Sequence, residues 1–108
     1  MANLITVNDD DLALQCFYRW ERERPSDIFL TQPFGGGAVR EFSWSQAADE
    51  TRRMARWLQS QGWPAGSKIA ILGKNSAHWV LSDLAIWMAG HVSVPIYPTF
   101  NSEAVRYI

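Results

Sequence analysis

The sequence predicts an α/β fold, a partial three-layer arrangement built on a parallel βαβ unit and preceded by a helix and a small hairpin. Three observations carry this expectation. Ile69-Ala70-Ile71-Leu72 is a short, continuous apolar run of the kind that sits in a central parallel strand covered on both faces. The stretch 77–89 that follows is apolar on nearly every side, so it predicts a helix needing cover on more than one face. After Gly90, Val92-Ser93-Val94-Pro95-Ile96 supplies a second apolar run. A strand, a crossover helix and a strand in this order form a right-handed unit with the two strands parallel.

The remaining elements follow in chain order. Asp9-Asp10-Asp11 places negative charge where a helix N-terminus favours it, and Leu12, Cys16, Phe17 and Trp20 recur on one face, so a first helix is expected to run to about Arg24. Pro25 stops it. Ile28-Phe29-Leu30 and Val39-Arg40-Glu41-Phe42 flank the turn-rich Pro33-Phe34-Gly35-Gly36-Gly37, which predicts a hairpin. Ser43 followed three positions later by Gln46 is a capping box that opens a second helix. On it Ala47, Thr51, Met54, Ala55 and Leu58 share a face, while Asp49 and Arg53 are spaced for a surface ion pair. Gly62 ends this helix, and Trp63-Pro64-Ala65-Gly66 turns the chain into the first parallel strand. Asn75 or Ser76 caps the apolar helix, and Asn101 or Ser102 starts a last one, of which residues 103–108 make about two turns. Pro95 removes a ladder donor and belongs near a strand end, and Pro98 keeps that strand from continuing. No repeat or linker divides the chain, so residues 1–108 are expected to form a single, incomplete domain that ends within a helix.

Composition narrows the function classes. A chain of 108 residues, 47% hydrophobic and 19% charged, has the composition of an ordinary globular protein with one core. Ten basic residues against eleven acidic ones give no broad positive field of the sort that nucleic-acid binding requires, so nucleic acid is not an expected partner. The single Cys16 cannot form an internal disulfide and is expected as a small buried thiol. Residues 1–11 carry no basic start followed by an apolar run, and no stretch is long and apolar enough to span a bilayer. A soluble, cytoplasmic setting is expected, with peripheral membrane association left open.

Chemistry-bearing residues are few. Gly35-Gly36-Gly37 is not followed by the Lys, Ser or Thr at a helix start that a phosphate cradle needs, and is expected as a hairpin turn. His78 and His91 have no His or Cys companion at metal-ligand spacing; the first is expected at the surface, the second in a loop. Ser76, His78 and Asp83 are the residue types of a hydrolytic triad, but on one short helix they cannot adopt the geometry of nucleophile, base and orienter. Arg19, Arg22 and Arg24 are expected as a solvated helix end, and Arg52, Arg53 and Arg56 as a solvated face. Trp79 and Trp87, eight apart, are explained by core packing, although an aromatic wall for an apolar ligand is the alternative. No catalytic, cofactor-binding or metal-binding residue is assigned.

The capped start at Phe42-Ser43-Trp44-Ser45-Gln46, the turn between Gly62 and Gly66, the strand Ile69-Ala70-Ile71-Leu72, the helix opening Asn75-Ser76-Ala77-His78-Trp79, then Asp83-Leu84-Ala85-Ile86, Ala89-Gly90 and Val94-Pro95-Ile96-Tyr97-Pro98-Thr99 together resemble the N-terminal part of AMP-forming acyl-CoA synthetases. The resemblance covers roughly residues 10–108, and its Tyr97-Pro98-Thr99 ending is most similar to the long-chain fatty acid branch. It implies a parent enzyme that uses ATP, assisted by Mg2+, to convert a fatty acid to an acyl adenylate and then to a thioester with coenzyme A. It also implies that the phosphate loop, the ribose-binding acid and the catalytic Lys lie later in such proteins, with no match here. The segment would then be inactive scaffold, the N-terminal piece of the large AMP-binding domain, with an exposed apolar surface near Trp79 and Trp87 through which it self-associates. Two readings compete with it: a free-standing α/β binding module, and a ligase that loads its acyl adenylate onto a carrier protein. Acyl chain length and oligomeric state have no signal in the sequence.

Overall fold

A computed structural model of the chain describes residues 4–108; residues 1–3, part of the stretch considered above for a leader, lie outside the described residues. After a single 3-10 turn at Asp9–Asp11 come α1 (Ala13–Glu23), β1 (Ile28–Gly35), β2 (Ala38–Ser43), α2 (Trp44–Ser60), β3 (Lys68–Leu72), α3 (Ala77–Met88), β4 (Val92–Ile96) and α4 (Ser102–Tyr107). β1 and β2 form an antiparallel hairpin, and β3 and β4 a separate parallel pair joined by α3. The mixed α/β class and the parallel crossover unit are those the sequence predicts.

Local chemistry accounts for the boundaries. At α2 the Ser43 hydroxyl accepts from the Gln46 amide at 3.1 Å while the Gln46 side chain accepts from the Ser43 amide at 3.0 Å, completing the capping box. Of the two candidate caps for α3, Ser76 does the work: its hydroxyl accepts from the Trp79 amide at 3.1 Å. Asn101 caps α4 in the same way, accepting from Ala104 at 2.9 Å. At the far end of α3, Gly90 donates to the Trp87 carbonyl and His91 to the Ile86 carbonyl, a Schellman closure that requires the positive φ of 85° at Gly90. The three aspartates do not open α1 but form their own turn, in which the Asp11 carboxylate accepts from the Asn8 amide at 3.2 Å.

Two stretches differ from expectation. β1 runs on through Pro33 to Gly35 instead of ending near Leu30, because the missing proline N–H falls beside a register shift and leaves the pairing with Val39 intact. The turn is left to Gly36 and Gly37, both at positive φ. β3 is covered on one face only: Ile71 is buried and Ile69 half-buried against the helices, whereas Lys68, Ala70 and Leu72 are exposed. An apolar run is compatible with cover on both faces; within residues 4–108 no second layer reaches Ala70 and Leu72.

The core lies in two clusters along α2 and α3. Phe17, Phe42, Ala47, Ala48, Ala77, Leu81 and Leu84 form one, beneath the hairpin. Ala55, Leu58, Ile71, Ala85 and Ile86 form the other, beneath β3. Met88 packs against both. Phe42, only 1% exposed, contributes on the order of 2 kcal/mol by leaving water, and Ala residues at the helix contacts let α2 and α3 approach closely. Thr51 is fully buried on the shared face of α2, as its spacing predicts, with its hydroxyl unpaired. Cys16 is only half-buried, its thiol 3.6 Å from the Asp10 carbonyl, so the fully buried thiol expected from periodicity is not found.

Long-range polar contacts tie the pieces together. The Gln32 side chain on β1 accepts from the Ala77 amide at 2.7 Å, satisfying an N–H that the first turn of α3 would otherwise leave open. Arg52 on α2 grips Glu21 on α1 with two hydrogen bonds of 2.6 Å and lies over the Tyr18 ring at 5.9 Å. The Glu21 hydrogen bond holds the Arg52 guanidinium above its ordinary pKa, so its charge is constant across any pH at which the protein is handled. Arg52 is therefore an interhelical link and not part of a merely solvated face, whereas Arg53 pairs with Asp49 across one helical turn as expected. Replacing Gln32 by Ala should lower stability by about 1 kcal/mol, the worth of one helix-end hydrogen bond, in a urea titration followed by circular dichroism. Gly90→Ala should cost about 1–2 kcal/mol in the same titration, all of it conformational, because a Cβ at Gly90 would meet nothing within 4 Å.

Candidate functional site

The parallel pair fixes where a ligand could sit. In open α/β sheets, clefts form beyond the carboxyl ends of the strands, where the loops diverge. Here Gly73 and Asn75 leave β3 on one side, Pro95 through Pro98 leave β4 on the other, and Trp79 in the first turn of α3 closes the back. They enclose a cleft of about 560 Å³. That volume suits a small molecule, and its wall is mainly apolar. The proline-flanked segment is rigid: Pro95 pairs with Ile71 near the end of the ladder, and Tyr97 beyond it stands 70% exposed with its ring edge-on to Phe100 at 5.4 Å.

Asn75 and Tyr97 are the residues of this lining with polar side chains, apart from the Trp79 indole. No carboxylate, lysine or histidine lines it, so the side chains present do not fit a magnesium triphosphate, which calls for cationic or carboxylate partners. Trp79 also lines two neighbouring hollows, one with His78 and Lys74, the other an apolar groove between α1 and α3 with Phe17, Phe29, Trp44 and Trp87. Trp87 is 39% exposed and its indole N–H donates to the Ser93 hydroxyl at 3.1 Å. Core packing thus accounts for Trp79, which lies against the second core cluster, but not for Trp87, which packs on neither cluster.

The other candidates separate as follows. Ser76 spends its hydroxyl on the helix cap, His78 is exposed with its ring edge-on to Phe42 at 6.1 Å, and no hydrogen bond joins either to Asp83 among the described residues. Asp83 leaves one carboxylate oxygen buried and unpaired at the groove between α1 and α3. His91 is in a loop as expected but is 7% exposed, packed against Trp63 at 6.3 Å with Nδ1 unpaired; a loop position in sequence carries no signal of such burial. Arg24 pairs with Asp27 at 3.2 Å and, like Arg19, lies over Trp20, which keeps that helix end charged and solvated. Gly35, Gly36 and Gly37 form the hairpin tip with no helix behind them. Among the described residues no three His, Cys, Asp or Glu side chains gather at metal-binding distance, and no helix is long and apolar enough to cross a membrane.

The fold is an α/β arrangement with an apolar cleft at the carboxyl ends of its parallel pair. Residues 17–108 match the family of AMP-binding enzymes, and the chain belongs to that family. It is 32% identical over 103 residues to the long-chain-fatty-acid–CoA ligase FadD15 of Mycobacterium bovis, an alignment covering 95% of this chain and 17% of that protein. It is 38% identical over 66 residues to the long-chain-fatty-acid–CoA ligase ACSBG2 of Rattus norvegicus, covering 61% of this chain and 10% of that one. Among solved structures, an anthranilate CoA ligase with bound anthranoyl-AMP superposes with a TM-score of 0.78 at 24% identity, over 88% of this chain and 17% of the other. The fatty acid AMP ligase of Legionella pneumophila superposes with a TM-score of 0.75 at 18% identity, over 85% and 16%. The chain thus spans about a sixth of the length of the Mycobacterium bovis relative and of both solved structures.

The groove and cleft around Trp79 present apolar wall to solvent. The chain should therefore enhance the fluorescence of 8-anilinonaphthalene-1-sulfonate under native conditions, with Trp79→Ala cutting the enhancement at least by half. A dye-silent chain that melts cooperatively would show these surfaces to be closed.

Proposed function

We propose that this chain is the N-terminal part of the large domain of an ATP-dependent, AMP-forming ligase that activates a long-chain fatty acid as an acyl adenylate and passes the acyl group to coenzyme A. The observation that carries this reading is the 32% identity to a long-chain-fatty-acid–CoA ligase along 95% of the chain, together with the family match over residues 17–108. The long-chain assignment has further support from other relatives bearing that name, including the peroxisomal long chain acyl-CoA synthetase 6 of Arabidopsis thaliana at 31% identity. ATP, Mg2+, coenzyme A and the fatty acid are partners of the whole enzyme on this reading, in a cytoplasmic setting.

Within that enzyme the segment contributes framework. The helices hold β3 and β4 in parallel register, and the rigid Pro95-to-Pro98 turn with Trp79 presents an apolar wall at the strand ends. The absence of a carboxylate, lysine or histidine from the cleft lining supports this scaffold role. The purified chain should show no ATP–pyrophosphate exchange with palmitate. The coding sequence downstream in the native transcript should carry a Ser/Thr/Gly-rich loop ending in Lys, and the protein it encodes should form palmitoyl-CoA. Exchange by the 108-residue chain would overturn the scaffold role; a full-length product that acylates a carrier protein but not coenzyme A would overturn the acceptor.

A further inference from the structure

Trp79, Asp83 and Trp87 follow one another at four-residue spacing on α3, so helical geometry sets a carboxylate one turn from an indole on either side. All three line the groove between α1 and α3, where Phe17, Phe29 and Trp44 complete an aromatic wall around a space of about 390 Å³. Asp83 is the one charged side chain on that wall among the described residues. One of its carboxylate oxygens is buried without a hydrogen-bond partner, and no basic side chain pairs with it among the described residues. Arg19 of α1 is engaged elsewhere: it lies over Trp20 at 5.5 Å, and its Nη2 donates to Cys16 Sγ at 3.8 Å.

The fold does not account for this carboxylate. A polar group buried without a partner costs free energy, and Asp83 neither caps a helix nor links two elements as Gln32 and Arg52 do. The rings of the wall also differ in use. Phe29 and Trp44 are spent on one another, stacked at 4.0 Å, whereas Trp87 is 39% exposed, packs on neither core cluster and has its indole N–H fixed on Ser93. An apolar wall takes the body of a ligand. A carboxylate between two indoles takes positive charge, both by ion pairing and by the attraction of a cation to ring faces. An anionic ligand would meet like charge at Asp83.

We propose that the groove between α1 and α3 is a binding site for a small organic cation, an ammonium carried on an apolar body. The ammonium sits at Asp83 between Trp79 and Trp87, and the body lies along the aromatic wall. The volume falls in the range of small-molecule sites. Of the strand-end cleft's lining the groove shares only Trp79, and the site does not rest on the ligase reading.

The test is titration of the 108-residue chain with octylammonium, octanol and octanoate, which share a tail and differ in the head, followed by isothermal titration calorimetry and tryptophan emission. Octylammonium is expected to bind about tenfold more tightly than octanol, and octanoate more weakly than either. Asp83→Asn should bring octylammonium to the affinity of octanol and leave octanol unchanged, circular dichroism confirming the fold. Asp83→Glu, which keeps the charge, should retain the order of the three. Cys16 lines the groove and is the chain's single cysteine, so octylammonium should slow its alkylation by iodoacetamide several-fold and thereby place the ligand. Equal affinity for the three heads, tightest binding of octanoate, an undiminished preference for the cation in Asp83→Asn, unaltered Cys16 alkylation, or binding of a lysine-bearing apolar peptide but not of octylammonium would each overturn the proposal.

Discussion

Everything in this structure depends on covering α3. A helix that is apolar almost all round has no face it can leave in water, so each neighbour is recruited to hide part of it. Leu81 and Leu84 are covered on the side of the hairpin and α1, and Ala85 and Ile86 on the side of α2 and β3. The division of the core into two clusters that share Met88 is the direct result. Trp79 and Trp87 are the part of the circumference left over, and they line the groove and the cleft. The apolar openings of the molecule are thus the uncovered remainder of the helix that organises its interior.

That constraint explains why so small a hairpin matters. A two-stranded ribbon is marginal by itself in water and gains its stability from what it packs on. Phe29 stacks on Trp44 with ring centres 4.0 Å apart, Phe17 meets both, and Phe42 closes the layer over the first cluster. Gln32 then reaches from β1 to the first amide of α3, so the hairpin both buries the helix and terminates it. Arg52 and Glu21 do for α1 what Gln32 does for the hairpin. Each is half exposed or less, so their pairing is screened in part and sets the angle of α1 more than it adds to stability.

What could be read from the sequence was whatever is decided locally. The Ser43–Gln46 box, the positive-φ glycines at 62 and 90, the Asp49–Arg53 spacing and the parallel order of two apolar runs are each settled within a few residues or one crossover. The Gln32 bond to Ala77 spans 45 positions and the Arg52 bond to Glu21 spans 31, and no local pattern distinguishes these side chains from their solvated neighbours. Burial of His91 belongs to the same class, since it follows from where Trp63 folds back and not from the Gly90 closure beside it. The one-sided cover of β3 was hidden for another reason: an apolar run records the cover a strand is suited to, while the cover present depends on what else is packed there. Of the strand-end cleft, Trp79 and the segment from Pro95 to Pro98 stood out as motifs, but their meeting across the ends of two strands needed the register of Ile71 on Pro95.

The distribution of polar groups around the parallel pair decides what the cleft can offer a ligand. At the carboxyl ends the cleft is lined by Trp79, two prolines, Ile96 and Tyr97 with Gly73 and Asn75, a mainly apolar wall. A site of that kind can orient a ligand, yet without a cation, a carboxylate or an imidazole it cannot stabilise developing charge, which is usually the largest part of catalysis. Charged side chains border this cleft without lining it: Lys74, between Gly73 and Asn75 at the carboxyl end of β3, lines with His78 the neighbouring hollow. The cleft itself thus offers shape without charge, and the nearest cation and imidazole, Lys74 and His78, face the adjoining hollow.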